Sequence, residues 1–145
     1  MKKVLVGLDG SKREKSVLDA AAGLARRTGA KLVLFRSIGL PTELPAEAYA
    51  LPPAEVQGLL ESRAKAAIDA LAAGVPKELV DKTRVHIGSP WQELCQIAKE
   101  EDVDLIIVGS HGYDALDRVL GTTAAKIVNH ADRAVLVVRQ AERLA

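Results

Sequence analysis

Five short apolar runs alternate along this chain with stretches whose apolar residues recur at helical spacing, and no other feature restricts its possible folds so strongly. The runs are Lys3 to Leu8, Lys31 to Ile38, Lys82 to Ile87, Leu105 to Val108 and Ala134 to Val138. Each reads as a short strand. After the first, Ser11 and Glu14 stand at capping-box spacing ahead of a helix with Val17, Ala21, Leu24 and Ala25 on one face, and Gly29 offers its stop. A loop with Pro41, Pro45, Pro52 and Pro53 then leads to a helix from Ala54 to near Gly74, with Val56, Leu60, Ala64, Ala67, Ile68 and Leu71 on one side. Ser89, Pro90 and Gln92 read as N-cap, first-turn proline and capping-box partner of a third helix that buries Trp91, Leu94, Cys95 and Ala98. Gly121-Thr122-Thr123 opens a fourth. The order is βαβαβαβαβ.

Strands that alternate with helices need right-handed crossovers, which give a parallel sheet covered on both faces. This explains why the runs are nearly all apolar. The reading is an α/β fold with a five-stranded parallel sheet, in the order 3-2-1-4-5 or its flavodoxin-like relative. In the first order, strands one and four are neighbours where the crossovers change sides, and a crevice opens at their C-terminal ends. Leu8-Asp9-Gly10-Ser11 and Gly109-Ser110-His111-Gly112 meet there.

Those two turns have the chemistry of an anion site. Glycine lets backbone N–H groups approach a phosphate closely, and a helix start adds unpaired donors and about half a positive charge. The segment from Asp104 to Arg139 supplies strand, glycine loop and helix start in that order, which points to a nucleotide. The alternative is that the glycines only close tight turns. Asp9 suits a ligand or metal at a strand end, and suits equally an Asx-turn into the first helix. His111, Arg118 and Lys126 could each reach a phosphate, but charged residues at such places more often face solvent. The P-loop and dinucleotide signatures are absent, and His86-Ile87-Gly88-Ser89 lacks the second histidine of a nucleotidylyl-transfer motif.

At 145 residues the chain fits one domain, 1–145. Its 20 basic against 19 acidic residues leave a formal charge of +1, so no global field favours nucleic acid or anionic membrane. The basic start at Lys2-Lys3 is followed by an apolar run that breaks at Asp9, too short for a signal peptide or a membrane span. A lone cysteine, Cys95, excludes an internal disulfide and reads as a buried packing thiol. Cytoplasm is the expected compartment.

Val4 to Ser11, Val103 to Gly112 and Asn129 to Arg139 resemble the opening strand and acidic turn, the fourth strand and loop, and the ending of the universal stress proteins. The resemblance runs the length of the chain. It implies a Rossmann-like, adenine nucleotide alpha-hydrolase-like three-layer sandwich. ATP-binding members carry Gly-x2-Gly-x9-Gly-(Ser/Thr), and this chain has Gly109-x2-Gly112-x8-Gly121-Thr122, one residue shorter. A surface arc can absorb that difference. The resemblance implies ATP, or ADP or AMP, with Asp9 near the adenosine or a phosphate-bound Mg²⁺ and the Ser37 backbone beside adenine. Val108 and Gly109 would line the ribose and adenine side. Gly112, Gly121, Thr122 and Thr123 would surround the phosphates, with His111 in the same loop.

The apolar last strand falls at a sheet edge, where an uncovered strand invites pairing. The family offers a homodimer through that strand; the tail 141–145 looks too short and charged to cover it. The functional expectation is a regulatory or sensor protein of the stress response, with at most slow ATP hydrolysis. A nucleotide-independent dimeric scaffold or chaperone-like protein is the alternative, and an adenylyl- or phosphoryl-transferring enzyme ranks last.

Overall fold

Each apolar run pairs side by side with another as a parallel strand, because a helix returns the chain to the same end of the sheet after every strand. A computed structural model describes residues 1–39, 46–110 and 120–139. In it β1 (Lys3–Gly7), β2 (Lys31–Ile38), β3 (Val80–Ile87), β4 (Leu105–Gly109) and β5 (Ala134–Val138) form one five-stranded sheet. Its order is β3-β2-β1-β4-β5, with every pair parallel. This is the 3-2-1-4-5 arrangement, and the flavodoxin-like order is excluded.

The two-residue period of the strands divides the core into two. Val4, Val6, Leu32, Leu34, Leu105 and Ile107 face α1 (Glu14–Thr28) and α2 (Pro53–Ala73), whereas Leu5, Val33, Phe35, Ile106 and Val108 face α3 (Pro90–Glu100) and α4 (Thr122–His130). The layers are therefore helix, sheet, helix. Helix α1 stops where Gly29 takes φ +77° and its N–H caps Ala25 O at 2.9 Å, a left-handed closure that glycine adopts without steric cost.

Several local expectations change. Helix α1 starts at Glu14, not Ser11: Ser11 Oγ accepts from Arg13 N–H, and Glu14 reaches back to Gly10 N–H. The polar side chains serve the turn, so the helix begins after it. Ser89 does occupy the N-cap of α3 and Pro90 its first position, but no side-chain capping bond forms. The proline-rich loop contains a 3₁₀ turn at Ala46–Ala50, while residues 40–45 lie outside the described residues. On α2 only Ile68 is fully buried; Val56, Leu60, Ala64, Ala67 and Leu71 are half-buried, since the helix lies over β2 and the edge strand β3. On α3 the buried residues are Leu94, Ile97 and Ala98, with Trp91 and Cys95 only half-buried. Trp91 packs between α3 and α4, stacked on His130 with centroids 4.8 Å apart.

Candidate functional site

The C-terminal ends of β1, β2 and β4 converge on a cavity of about 140 Å³. Strands β1 and β4 are neighbours here, and consecutive crossovers pass to opposite faces of the sheet, which leaves the crevice between them uncovered. Leu8, Asp9 and Ser11 come from the turn after β1, Phe35 and Ser37 from β2, Val108 and Gly109 from β4. Arg13, Glu14 and Val17 contribute the α1 side, Pro90 and Leu94 the α3 side, and Thr123 the start of α4. The lining mixes apolar side chains such as Phe35, Leu94 and Val108 with polar ones such as Asp9, Ser37 and Thr123.

Gly7 forms the floor by having no side chain. A Cβ there would lie 2.9 Å from Leu94 Cδ1 and 3.2 Å from Val108 Cγ1, so the strand passes closer to α3 and β4 than any other residue allows. Beyond it the chain turns at Gly10, where φ is +77°. Asp9 Oδ1 accepts from Ser11 N–H at 2.9 Å, the Asx-turn that its position suggested, and Oδ2 has no hydrogen bond among the described residues. The carboxylate thus shapes the turn and also lines the cavity.

Ser37 donates its hydroxyl to Gly88 O at 2.5 Å, which fastens β2 to the loop before α3. That loop is also held by His86, whose Nδ1 lies 2.9 Å from Glu93 Oε2. Gly121 is buried at the N-cap of α4, with no side-chain cap. Its own N–H donates to Ser110 O at 3.1 Å, and Ser110 N–H donates to Val138 O at 2.9 Å. Neither amide is thus a free donor. These bonds do bring the two glycine segments together, and they place the uncapped first turn of α4 beside the end of β4.

Of the residues singled out from sequence, Asp9, Ser37, Val108, Gly109 and Thr123 share the cavity wall. Gly121 and Thr122 adjoin it without lining it. His111, Gly112 and Arg118 lie outside the described residues. Lys126 sits over the Trp91 ring, 5.5 Å from its centroid. Sequence reasoning missed Phe35, Leu94, Arg13 and Glu14 as wall residues. The alternation along β2 could have paired Phe35 with Ser37, but Glu14 carried only a capping signal.

A model of the Universal stress protein family matches residues 1–139. This chain belongs to that family. A putative universal stress protein of Staphylococcus aureus (strain USA300) is 32% identical over 148 aligned positions, covering 97% of this chain and 86% of the relative. Among solved structures, hypothetical protein MJ0577, described as a structure-based assignment of biochemical function, superposes with a TM-score of 0.76 at 25% identity over 96% of each chain. A universal stress protein in complex with cAMP superposes with a TM-score of 0.60 at 27% identity, covering 95% of this chain and 96% of that one. UspA of Lactobacillus plantarum shares the fold, with a TM-score of 0.72 at 24% identity over 95% of this chain and 97% of its own. No described helix is long and apolar enough to cross a membrane.

Proposed function

We propose that this member of the universal stress family binds an adenine nucleotide in the crevice between β1 and β4 and acts as a regulatory or sensor protein. The observation that carries the reading is the shared wall: Asp9, Ser37, Val108, Gly109 and Thr123, distant in sequence, line one cavity beside the uncapped start of α4. The cAMP complex of a 27% identical family member supports an adenine ligand. In this reading Phe35, Leu94 and Val108 enclose the base, the Ser37 backbone meets its edge, and Thr122 and Thr123 hold phosphate oxygens together with His111 and Gly112. Where ATP is the ligand, Asp9 Oδ2 is the carboxylate oxygen suited to a phosphate-bound Mg²⁺. The same reading assigns at most slow ATP hydrolysis. The single domain, a cytoplasmic location and a homodimer through β5 belong to the same proposal. Mass spectrometry of an acid extract, with calorimetry on the emptied protein, tests it. An adenine nucleotide released or bound supports the reading, and a protein that neither carries nor binds one removes it.

A second reading is a nucleotide-independent scaffold. The glycine arc motivates it, since Gly112-x8-Gly121 is one residue shorter than the spacing of ATP-binding members. Gly121→Val separates the two in a variant whose melting temperature is kept. Loss of stress protection in cells supports the nucleotide, while full protection supports the scaffold.

A further inference from the structure

The turn that carries Asp9 is held by two residues with no binding signature in the sequence. Glu14 Oε2 accepts from Gly10 N–H at 2.8 Å and lies 2.6 Å from Arg36 Nη2. Both side chains of this ion pair are largely buried, 15% and 16% exposed. Arg36 approaches from the α1 face of β2, opposite to Ser37, and its guanidinium carbon lies 3.7 Å from where a Cβ on Gly10 would be. It therefore does not line the cavity, whereas Glu14 does.

The arrangement matters because the ligand is an anion. Asp9 and Glu14 put two carboxylates on one cavity wall together with the guanidinium of Arg13, and a carboxylate without a counter-charge there repels phosphate. Arg36 neutralises one of them. Asp9, which has no ion pair among the described residues, then remains as the acid available to a ribose hydroxyl or a metal.

We propose that the Glu14–Arg36 pair is a positioning and charge-balancing element of the nucleotide site: it fixes the Asp9 turn through Gly10 and keeps the wall tolerant of phosphate. The inference rests on the nucleotide reading above. Removing Arg36 alone leaves the largely buried Glu14 carboxylate uncompensated, whereas replacing both members removes that uncompensated charge and leaves Asp9 and Arg13 as the charges on the wall.

That difference makes the test. Adenosine, AMP and ATP are titrated calorimetrically into wild type, Arg36→Met, Glu14→Gln and the double variant. Arg36→Met weakens ATP about tenfold, AMP less, and adenosine by no more than about twofold. Adding Glu14→Gln restores ATP affinity to within about threefold, because the charge is gone while an amide oxygen still accepts from Gly10 N–H. Equal losses for all three ligands, or no rescue in the double variant, overturn the charge-balancing role and leave a plain structural brace. Amide exchange by NMR needs no ligand: Glu14→Ala speeds exchange at Gly10 N–H about fivefold or more, and unchanged exchange overturns the positioning role. A wild type that binds none of the three ligands instead refutes the nucleotide reading, and the exchange result then decides alone whether the pair positions the turn.

Discussion

Gly7 shows how much one missing side chain can control. The two atoms a Cβ would meet belong to Leu94 and Val108, which are 3% and 4% exposed. Leu94 borders the cavity and can turn toward it, but the branched Val108 is stiff about its first torsion. Gly7→Ala therefore costs about 1–3 kcal/mol and narrows the cavity from below, measurable as a lower urea midpoint at unchanged slope. A stability equal to wild type would show that the close approach is looser than these distances indicate. Nearby, Asp9 shapes its turn and still lines the cavity, because a carboxylate has two oxygens and the turn uses one.

At the scale of elements, α2 and β5 invite opposite experiments. Helix α2 spans Pro53–Ala73 yet buries only Ile68 completely. Ile68→Ala removes atoms from a closed site and costs about 2–4 kcal/mol, whereas Val56→Ala, at a half-buried position, costs under about 1 kcal/mol. Comparable losses at both positions by chemical denaturation would mean that the helix is held along its whole length.

The two sheet edges differ as well. Edge strand β3 carries Asp81, Lys82 and Arg84, charges of the kind that keep edges from pairing. Strand β5 has no charge, and its Leu136 is 41% exposed. The proposed homodimer uses the charge-free edge. Leu136→Glu is predicted to convert a dimer into monomers in sedimentation velocity while the monomer retains its far-UV circular dichroism. A species of unchanged mass would remove β5 from the interface.

Across the whole molecule, a carboxylate network opposite the cavity ties strands to helices. Glu101, at the end of α3, meets Lys3 of β1 and Lys82 and Arg84 of β3 within 3.3 Å. Burial alone would raise its pKa, but the bonds to Lys82 and Lys3 outweigh this and hold it below the ordinary 4.5. Asp104 accepts from the N–H groups of Lys2 and Lys3, and those bonds depress its pKa below 3.8. Bonds from Arg84 to Glu100 and from Arg133 to Asp132 act in the same direction. A carboxyl group whose folded pKa is depressed contributes stability above its unfolded pKa and loses it as pH falls through the folded value. Melting temperature is thus expected to be level from neutrality to about pH 5 and to decline below the ordinary carboxylate range. Glu101→Gln should flatten that decline, and an equally steep acid limb in this variant would exclude Glu101 as a source.

Sequence by itself determined the strand and helix succession and the parallel sheet, and it left two strand orders between which the structure decided. These follow from periods of 2 and 3.6 residues and from crossover handedness, which are properties of short chain segments. The resemblance to the family singled out Asp9, Ser37, Val108, Gly109 and Thr123, which line the cavity at the C-terminal end of the sheet. Only the tertiary structure decided that Glu14 faces Arg36, 22 residues away, and takes the amide of Gly10 and not that of Ser11. It likewise spent the amide of Gly121 on Ser110 O and left Trp91 and Cys95 half-buried between helices. Such contacts depend on how deeply one element settles against another, and a residue's neighbours along the chain carry no record of that depth.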